Sequence, residues 1–189
     1  MPARHYWLVK SEVDVFSFDD LLSAPNQTTG WDGVRNYAAR NHLRSMRSGD
    51  HVLFYYSMDS DKAVVGVAEV VREAYPDATA LDSADPHFDA KSDPAAPRWF
   101  MVDLKAVERL PRPVRLEEIK RAKGLEKMAL LRIGRLSVQP VTDEEYAIVR
   151  ALGEAPASAG PKGKRAAQRA ARRPAKKGKK PTKKSARKR

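Results

Sequence analysis

The sequence predicts an α+β fold, in which a small curved sheet or partly closed barrel of mostly antiparallel strands carries helices at its ends. Segments rich in aromatic and branched residues recur along the chain and have the composition of strands. Helical periodicity is confined to a few short segments, and glycine and proline residues separate one segment from the next. We expect strands that pair out of their sequence order.

Charge divides the chain of 189 residues into two parts. Residues 154–189 hold 15 of the 36 Lys and Arg residues and a single acidic residue, Glu154, so their net charge is +14. Residues 1–153 hold 21 basic and 23 acidic residues and are close to neutral. We therefore expect one domain over residues 1–153 and a separate basic tail over residues 154–189.

The segment Trp31–Ser57 predicts a turn, an amphipathic helix and a strand, in that order. One face of the helix is apolar, at the spacing of Ala39, Leu43 and Met46. A neighbouring face is basic and carries Arg40, Arg44 and Arg47. Asn36 is a suitable N-cap, and Gly49 is suited to the left-handed residue that ends a helix. The strand His51–Ser57 has large side chains on both faces, so we expect it to be covered on both.

Four other segments have strand character. They are His5–Lys10, Ala63–Glu73, Arg98–Val107 and the shorter Arg135–Val141. Gly66 lies inside the second of these and predicts a bulge or a close backbone approach. Leu110–Pro113 is expected to break the third.

Capping boxes mark the starts of two further helices. Ser17 with Asp20 precedes a short helix through Leu22, and Thr142 with Glu145 precedes a last helix that reaches Leu152. Shorter helical pieces are expected at Leu116–Ala122 and Leu125–Leu130.

Two segments have the composition of loops, Pro25–Gly30 and Tyr75–Pro97. The second is rich in Asp, Pro and Ala. A loop of this length inside a domain is either functional or mobile.

From Pro156 onward the chain has no aromatic residue and almost no large aliphatic one, so we expect it to be disordered in isolation. A flexible run of cations neutralises phosphates and releases counterions, which gives binding that is tight at low salt and indifferent to sequence. The residues predicted to contact phosphates are Lys176, Lys177, Lys179, Lys180, Lys183 and Lys184 in the tail and Arg40, Arg44 and Arg47 in the helix. A solubilising tail and an anionic membrane surface are the alternatives.

The common enzyme motifs GxSxG, GxGxxG, GxxxxGK[ST] and HExxH do not occur in the sequence. The chain has no cysteine, and its four histidines show no i, i+4 pairing. The adjacent acidic residues Asp19–Asp20 and Glu144–Glu145 lie at helix starts, where carboxylates complement the helix dipole. We expect a protein that is not an enzyme and has no metal or cofactor.

No apolar run approaches the roughly 20 residues of a membrane span, and the first residues contain no hydrophobic signal region. We therefore expect a soluble intracellular protein with no membrane partner. Its expected location is the cytoplasm, in association with the nucleoid, or the nucleus in a eukaryote.

Trp31 is the leading candidate for ligand contact. Glycines at positions 30 and 33 place it on a turn at the edge of the scaffold, where a flat ring can stack on a planar ligand. Asn36 and Asn41 are most simply helix-entry and surface residues, but their carboxamides also offer the paired donor and acceptor that can read a base edge. Ser57 offers either a pocket hydroxyl or a strand-end turn.

Several long motifs occur in order along the chain. They are YWLVKSE, WDGVRNYAARNHLRSMRSGDHVLFYYS, GVAEVVREAYPD, PRWFMVDLKAV and MALLRIGRLSVQPV. Together they resemble the EVE domain family of the PUA-like superfamily over about Arg4 to Gly153. The resemblance implies a pseudo-barrel of five or six mostly antiparallel strands with peripheral helices. It also implies a pocket for a modified or flipped-out base of DNA or RNA, such as methylated or hydroxymethylated cytosine.

By position, the resemblance implies that Trp31 is the stacking wall of this pocket. The other implied pocket residues are Asn36, Tyr37, Asn41, Ser57, Lys10, Ser11, Arg135 and Ser137. One position departs from the family pattern FYHS, because this chain has Tyr56 in place of the histidine. Tyrosine keeps a ring and a hydrogen-bonding tip but is not cationic near neutral pH, so the ligand preference stays open.

The expected function is therefore a non-catalytic reader of a modified base, with the basic tail holding the nucleic-acid backbone. Two alternatives remain open. In one, the protein is an architectural nucleoid-associated factor whose tail does the binding. In the other, it is an ASCH-like RNA-processing enzyme that recruits Lys10, Tyr56 and Ser57. The sequence does not decide the base modification, the choice of DNA or RNA, or the oligomeric state.

Overall fold

Six strands form one mixed sheet within residues 4–58 and 61–155, the part of the chain that this computed structural model describes. The strands are β1 (Tyr6–Ser11), β2 (Thr28–Gly30), β3 (His51–Tyr56), β4 (Ala63–Pro76), β5 (Phe100–Arg115) and β6 (Val138–Val141). The helices are α1 (Phe18–Ser23), α2 (Tyr37–Ser45), α3 (Leu116–Arg121), α4 (Ala129–Arg132) and α5 (Asp143–Glu154). Single 3₁₀ turns lie at Pro25–Gln27 and Ala78–Ala80.

The strand order is β2-β5-β4-β3-β1-β6. β1 runs parallel to β3, with Tyr6 opposite His51, and the other neighbouring strands are antiparallel. The described strands leave β2 and β6 at the two edges, so the sheet does not close. These features confirm the predicted α+β fold with a small, mostly antiparallel sheet and non-sequential pairing.

Helices cover both faces of the sheet, and the core is accordingly split in two. On one face, Phe54 of β3 packs in a cluster with Phe18 of α1 and Leu43 of α2. On the other face, Leu53 of β3 packs in a cluster with residues of α3, α4 and α5, among them Ile119. Residues 52–56 are all buried, which confirms that β3 is covered on both sides.

The predicted helix starts are confirmed. The Ser17 hydroxyl accepts a hydrogen bond from the Asp20 backbone N–H at 3.1 Å, and the Asp20 carboxylate accepts one from the Ser17 N–H at 2.8 Å. Thr142 and Glu145 form the same reciprocal pair. The Asn36 side-chain oxygen accepts from the Ala39 N–H at 3.0 Å. The acidic side chains at these helix starts therefore satisfy backbone donors, as capping predicts.

Several predicted boundaries are wrong. Helix α2 ends at Ser45, and Gly49, with φ of 91°, lies in the turn before β3 instead of at the helix end. Helix α4 covers Ala129–Arg132 instead of Leu125–Leu130. Strand β6 begins only at Val138 and contains Pro140, which an edge strand tolerates because its outer N–H positions need no partner.

The predicted break at residues 110–113 is also wrong, because β5 continues to Arg115. Arg109 pairs with Gly66 and Val114 pairs with Val64, so four residues of β5 lie opposite a single residue of β4. Pro111 and Pro113 lie in this bulge, outside the regular ladder, where their missing N–H groups need no partner.

Both predicted loops contain regular structure. Residues 28–30 form strand β2, which pairs with β5 through Thr29 opposite Leu104. Strand β4 runs to Pro76, beyond the predicted end at Glu73, and a 3₁₀ turn follows it.

The tail beyond Ala155, including its predicted phosphate-binding lysines, lies outside the described residues. Among the described residues, no helix has the length and apolar character that a membrane crossing requires.

Gly66 combines the two roles that the sequence predicts for it. The pairing of β4 with both neighbouring strands shifts register beside this residue. A side chain here would also collide with the Phe18 ring, because an added Cβ would lie 2.7 Å from the Phe18 Cε1 atom. The glycine thus allows α1 to pack directly on the sheet.

We predict that Gly66→Ala lowers the free energy of unfolding of the full chain by about 1–3 kcal/mol, because the buried Phe18 ring has to shift. Gly134→Ala is the matched control, since an added Cβ at that position meets no atom within 4 Å. The control should change stability by no more than about 0.5 kcal/mol. Equal urea-unfolding midpoints for the two variants would contradict the close packing at Gly66.

Candidate functional site

A cavity of about 580 Å³ opens on the sheet face that carries α1 and α2, at the end of β1. Its walls come from residues 10–12 and 15–16 around the end of β1, residues 29–35 from β2 to the start of α2, and the more distant His87 and Ser137. The volume lies within the range of about 300–1,000 Å³ that is usual for small-molecule sites. The lining is mixed, with aromatic rings, hydroxyls and charged groups together.

Trp31 forms an apolar wall of this cavity. Its ring packs edge-on against Phe54, at 5.5 Å between centroids and 83° between planes, and against Phe16 at 6.3 Å and 77°. Its backbone N–H donates to the Val102 carbonyl at 2.7 Å, which continues the β2–β5 pairing. Only 9% of the residue is exposed, so Trp31 lies in the core cluster and not on the exposed turn that the sequence suggests. Core packing therefore fixes the orientation of the ring.

The end of β1 supplies polar groups. The Lys10 ammonium donates to the Gly134 carbonyl at 2.7 Å, and the Lys10 backbone N–H donates to the Ser137 carbonyl at 2.9 Å. The Ser11 hydroxyl donates to the Phe16 carbonyl at 2.6 Å. Burial, and to a smaller extent the charge of Lys62, lower the pKa of Lys10. An ammonium has three donors, and the Gly134 carbonyl uses one.

An ion pair between the half-buried Arg35 and the buried Asp77 lies on the charged side of the cavity. The Arg35 guanidinium donates to the Asp77 carboxylate at 2.7 Å and to the Thr79 hydroxyl at 3.0 Å, and its Nε–H donates to the His87 carbonyl at 2.7 Å. The Gly33 backbone N–H donates to the same Asp77 oxygen at 3.1 Å. The Asp77 side chain has no exposed surface. Arg35 thus fastens the turn after Trp31 to the long segment that follows β4.

Gly33 allows the two segments to meet. It has φ of 72°, and an added Cβ would lie 2.8 Å from the Nε2 atom of His87. Glycine is therefore required at this position both for its backbone conformation and for the contact with His87.

The two carboxyl groups here have opposite pKa shifts. Burial alone would raise the pKa of Asp77, but the hydrogen bonds from Thr79, Arg35 and Gly33 outweigh it and lower that pKa below its usual value. Burial, followed by the nearby charges of Asp77 and Asp85, raises the pKa of Asp32. Within the described part of the chain, no hydrogen bond or ion pair engages the Asp32 carboxyl. Asp32 is therefore a carboxyl on the cavity wall that is available to a ligand.

The structure brings four of the predicted pocket residues together around the cavity. They are Lys10, Ser11, Trp31 and Ser137. Ser57 lies behind the lining, with its hydroxyl donating to the Ser11 carbonyl at 3.3 Å, and Arg135 is exposed in the turn before β6.

The predicted pocket residues of α2 lie outside the lining. Asn36 caps the helix, and the Asn41 side-chain oxygen accepts from Arg40 at 2.7 Å. Tyr37 stacks on Trp99 at the surface. Their roles in binding stay predictions, as does the role of the arginines. Arg44 and Arg47 are exposed as predicted, and Arg40 is half-buried.

Tyr56, which replaces the family histidine, does not line the cavity. Its hydroxyl accepts a hydrogen bond from the Phe18 backbone N–H at 2.9 Å, and burial raises its pKa. In this chain the substituted side chain therefore supports α1.

Asp32, Arg35 and His87 are lining residues that the sequence analysis missed. The first two belong to the WDGVRNY motif, so closer attention to charged residues beside Trp31 would have found them. His87 had only the unusual length of its loop as a signal. Among residues 4–58 and 61–155, no group of three or more His, Asp or Glu side chains is arranged to hold a metal ion.

Known proteins resemble this chain over most of its length. A family model described as EVE domain matches residues 5–152. Chicken (Gallus gallus) thymocyte nuclear protein 1 is 45% identical over 166 residues, which are 79% of this chain and 69% of the chicken protein.

Solved structures share the fold. A hypothetical protein from Leishmania major is 50% identical, with a TM-score of 0.77 over 80% of this chain and 96% of that one. The human THYN1 protein, solved in complex with DNA containing 5-methylcytosine, is 40% identical with a TM-score of 0.77. That likeness covers 80% of this chain and 99% of the human chain.

We predict that Asp77→Asn lowers the free energy of unfolding by about 3 kcal/mol near neutral pH, because it leaves Arg35 without its buried partner. Glu73→Gln is the matched control, since the Glu73–Arg47 pair is exposed and should contribute no more than about 1 kcal/mol.

The deficit of Asp77→Asn should depend on pH. The lowered pKa of Asp77 stabilises the fold above the ordinary value of 3.8, and this contribution is lost as pH falls through the folded-state pKa. Urea unfolding of the two chains should therefore give values that converge below about pH 4. A difference that stays constant from neutral to acid pH would contradict the assigned ion pair.

Proposed function

This chain belongs to the EVE domain family, and from that premise we propose that it binds nucleic acid and holds one modified base in the cavity beside Trp31. The observation that carries the proposal is a cavity of about 580 Å³ with a fixed indole wall and polar groups around it. The human relative solved with 5-methylcytosine-containing DNA supports a methylated cytosine as the ligand.

The cavity would take the base after it leaves the stack. Extrusion costs a few kcal/mol, least for a base that is already unpaired. Stacking on an aromatic side chain returns about 1–3 kcal/mol, and hydrogen bonds to the base edge supply the rest. Because core packing holds the Trp31 ring, little ordering is needed when the base arrives.

Asp32 is the group that reads the base edge in this proposal. Cytosine presents an amino donor at N4 beside an acceptor at N3. An ionised carboxylate at this position accepts a hydrogen bond from that amino group. Thymine presents an acceptor and an N–H in the reverse order. A carboxylate has no donor for the O4 atom of thymine, so cytosine-type bases bind better.

The methyl group of the base contributes less to binding than the stacking of the base on Trp31 does. A methyl group adds about 0.8 kcal/mol of apolar burial, which corresponds to about fourfold in affinity. Most of the affinity for the polymer then comes from phosphate contacts, to which the +14 tail contributes without regard to sequence. Such binding would hold the protein at the nucleoid, or in the nucleus of a eukaryote.

We predict that Ser137→Phe, which fills the cavity from a half-buried position, abolishes the preference of the full chain for 5-methylcytosine over cytosine. Non-specific binding should remain, because the basic tail is unchanged. Trp31→Ala should weaken binding of the methylated oligonucleotide about tenfold. Fluorescence anisotropy with oligonucleotides that differ in one methyl group measures both effects.

Val107→Ala, at an exposed position of β5, is the control, and thermal unfolding verifies that each variant is folded. A methyl preference that survives in a folded Ser137→Phe protein would exclude the cavity as the base site.

We predict that Asp32→Asn reduces discrimination between 5-methylcytosine and thymine, which differ only in the groups that Asp32 would read. An amide carries a donor and an acceptor and can turn to suit either base. In the wild type, the preference for 5-methylcytosine over thymine should fall as the pH is lowered from about 7 toward 3.8, the ordinary carboxyl value, because the raised pKa of Asp32 lets it take up a proton above that value and a protonated carboxyl, like the amide, carries a donor as well as an acceptor.

The Asp32→Asn variant should lose that pH dependence. The other charged or titratable groups near the cavity are the same in both proteins, namely Lys10, Arg35, Asp77, Asp85 and His87. Titration of both oligonucleotides over this pH range measures the two effects. Unchanged discrimination and an unchanged pH profile in the variant would remove Asp32 from the reading of the base.

A further inference from the structure

Outside the cavity, α2 meets the start of β5 in a surface cluster of rings and guanidinium groups. Tyr37 is 54% exposed, and its ring stacks on Trp99 at 4.9 Å between centroids and 28° between planes. The Arg40 guanidinium lies 4.9 Å from the centre of the Tyr37 ring, and that of Arg44 lies 4.9 Å from the centre of the Phe100 ring. We call these five residues the Tyr37 patch.

Hydrogen bonds from Trp99 and Arg40 to neighbouring residues fix the Tyr37 patch. Trp99 is buried, and its indole N–H donates to the Asp89 carboxylate at 2.7 Å. Arg40 donates to the Arg98 carbonyl at 3.0 Å. A ring that is fixed before binding loses little conformational freedom when a ligand stacks on it.

The charges of the patch are not neutralised. Within the described ranges, neither Arg40 nor Arg44 forms an ion pair, whereas Arg47 on the same helix lies 3.6 Å from Glu73. Arg40 donates only to uncharged acceptors, the Asn41 side chain and a backbone carbonyl. The patch therefore combines an exposed ring with two positive charges that are available to an anion.

Arg35 connects the patch to the cavity. It lines the cavity, and its guanidinium also lies 5.6 Å from the centre of the Trp99 ring. Contacts through the buried Trp99 ring thus connect Arg35 on the cavity wall to Tyr37 at the surface. An exposed ring beside unpaired cations fits single-stranded nucleic acid, whose bases stack on aromatic side chains while phosphates meet the charges. The bases of a duplex remain stacked on one another and offer no free face to such a ring.

We propose that the Tyr37 patch binds the unpaired nucleotide next to the base in the cavity, with its base on Tyr37 and its phosphates at Arg40 and Arg44. This inference rests on the proposed function, because the cavity defines which nucleotide is the neighbour. It assigns to the protein a single-stranded or locally opened stretch of nucleic acid as its ligand.

The test compares Tyr37→Ala with Tyr37→Phe in the full chain. The probes are single-stranded oligonucleotides with one 5-methylcytosine and with 2-aminopurine on its 5′ or its 3′ side, together with the free nucleoside 5-methyl-2′-deoxycytidine. Binding of the wild type or of Tyr37→Phe should quench the fluorescence of 2-aminopurine at one of these two positions, 5′ or 3′ of the 5-methylcytosine. Tyr37→Ala should lose that quenching and bind the oligonucleotide about tenfold more weakly, while its affinity for the nucleoside is unchanged.

The arginines are tested by the salt dependence of binding. Arg44→Gln should reduce the slope of log affinity against log salt by about 0.7, the single-strand value for one phosphate contact. Arg121→Gln, at an exposed position of α3, is the control and should bind with the same affinity as the wild type at the salt concentration of the assay.

Equal quenching and equal oligonucleotide affinity in wild type and Tyr37→Ala would overturn the proposal, as would an equal loss of nucleoside and oligonucleotide binding. Failure of the wild type to bind the nucleoside, with quenching still dependent on Tyr37, would instead refute the cavity as the base site and leave a patch that binds single strands by itself.

Discussion

The ion pair between Arg35 and the buried carboxylate of Asp77 joins two segments that are 42 residues apart in sequence, and both candidate binding surfaces depend on it. Asp77 has no exposed side-chain surface, so its charge needs a buried partner. Through this pair the turn after Trp31 is fixed against the segment that carries His87. The same guanidinium reaches the Trp99 ring and so links the cavity to the surface around Tyr37.

The sheet provides the rigidity that such a site requires. Both faces of β3 are covered, and Trp31 belongs to the cluster on the face that carries α1 and α2. A planar wall fixed by core packing offers a stacking surface at little cost in conformational entropy. Tyr56, which occupies the position of the family histidine, does not line the cavity, and its hydroxyl accepts a hydrogen bond at the start of α1.

Within the proposed function, the parts of the molecule have separate tasks. Residues 1–153 are nearly neutral, so attraction to a polyanion comes mainly from the tail. The cavity then selects one base through Trp31 and Asp32, and the surface around Tyr37 accepts its neighbour. In this proposal, different residues determine the affinity for the polymer, the choice of base and the preference for single strands, so the three properties can be measured separately.

The sequence by itself determined what neighbouring residues encode: the capping boxes, the two faces of α2, the double burial of β3 and the division of charge. It also carried the family motifs. Only the tertiary structure decided that residues 28–30 form a strand, that β5 passes its prolines in a bulge, and that His87 joins the cavity while Tyr37 lies outside it. The reason is that caps and periodicity act within a turn or two of the chain. The partners of Trp31, by contrast, are Phe16, Phe54 and Val102, which lie 15, 23 and 71 residues away in the sequence and meet it only through the path of the folded backbone.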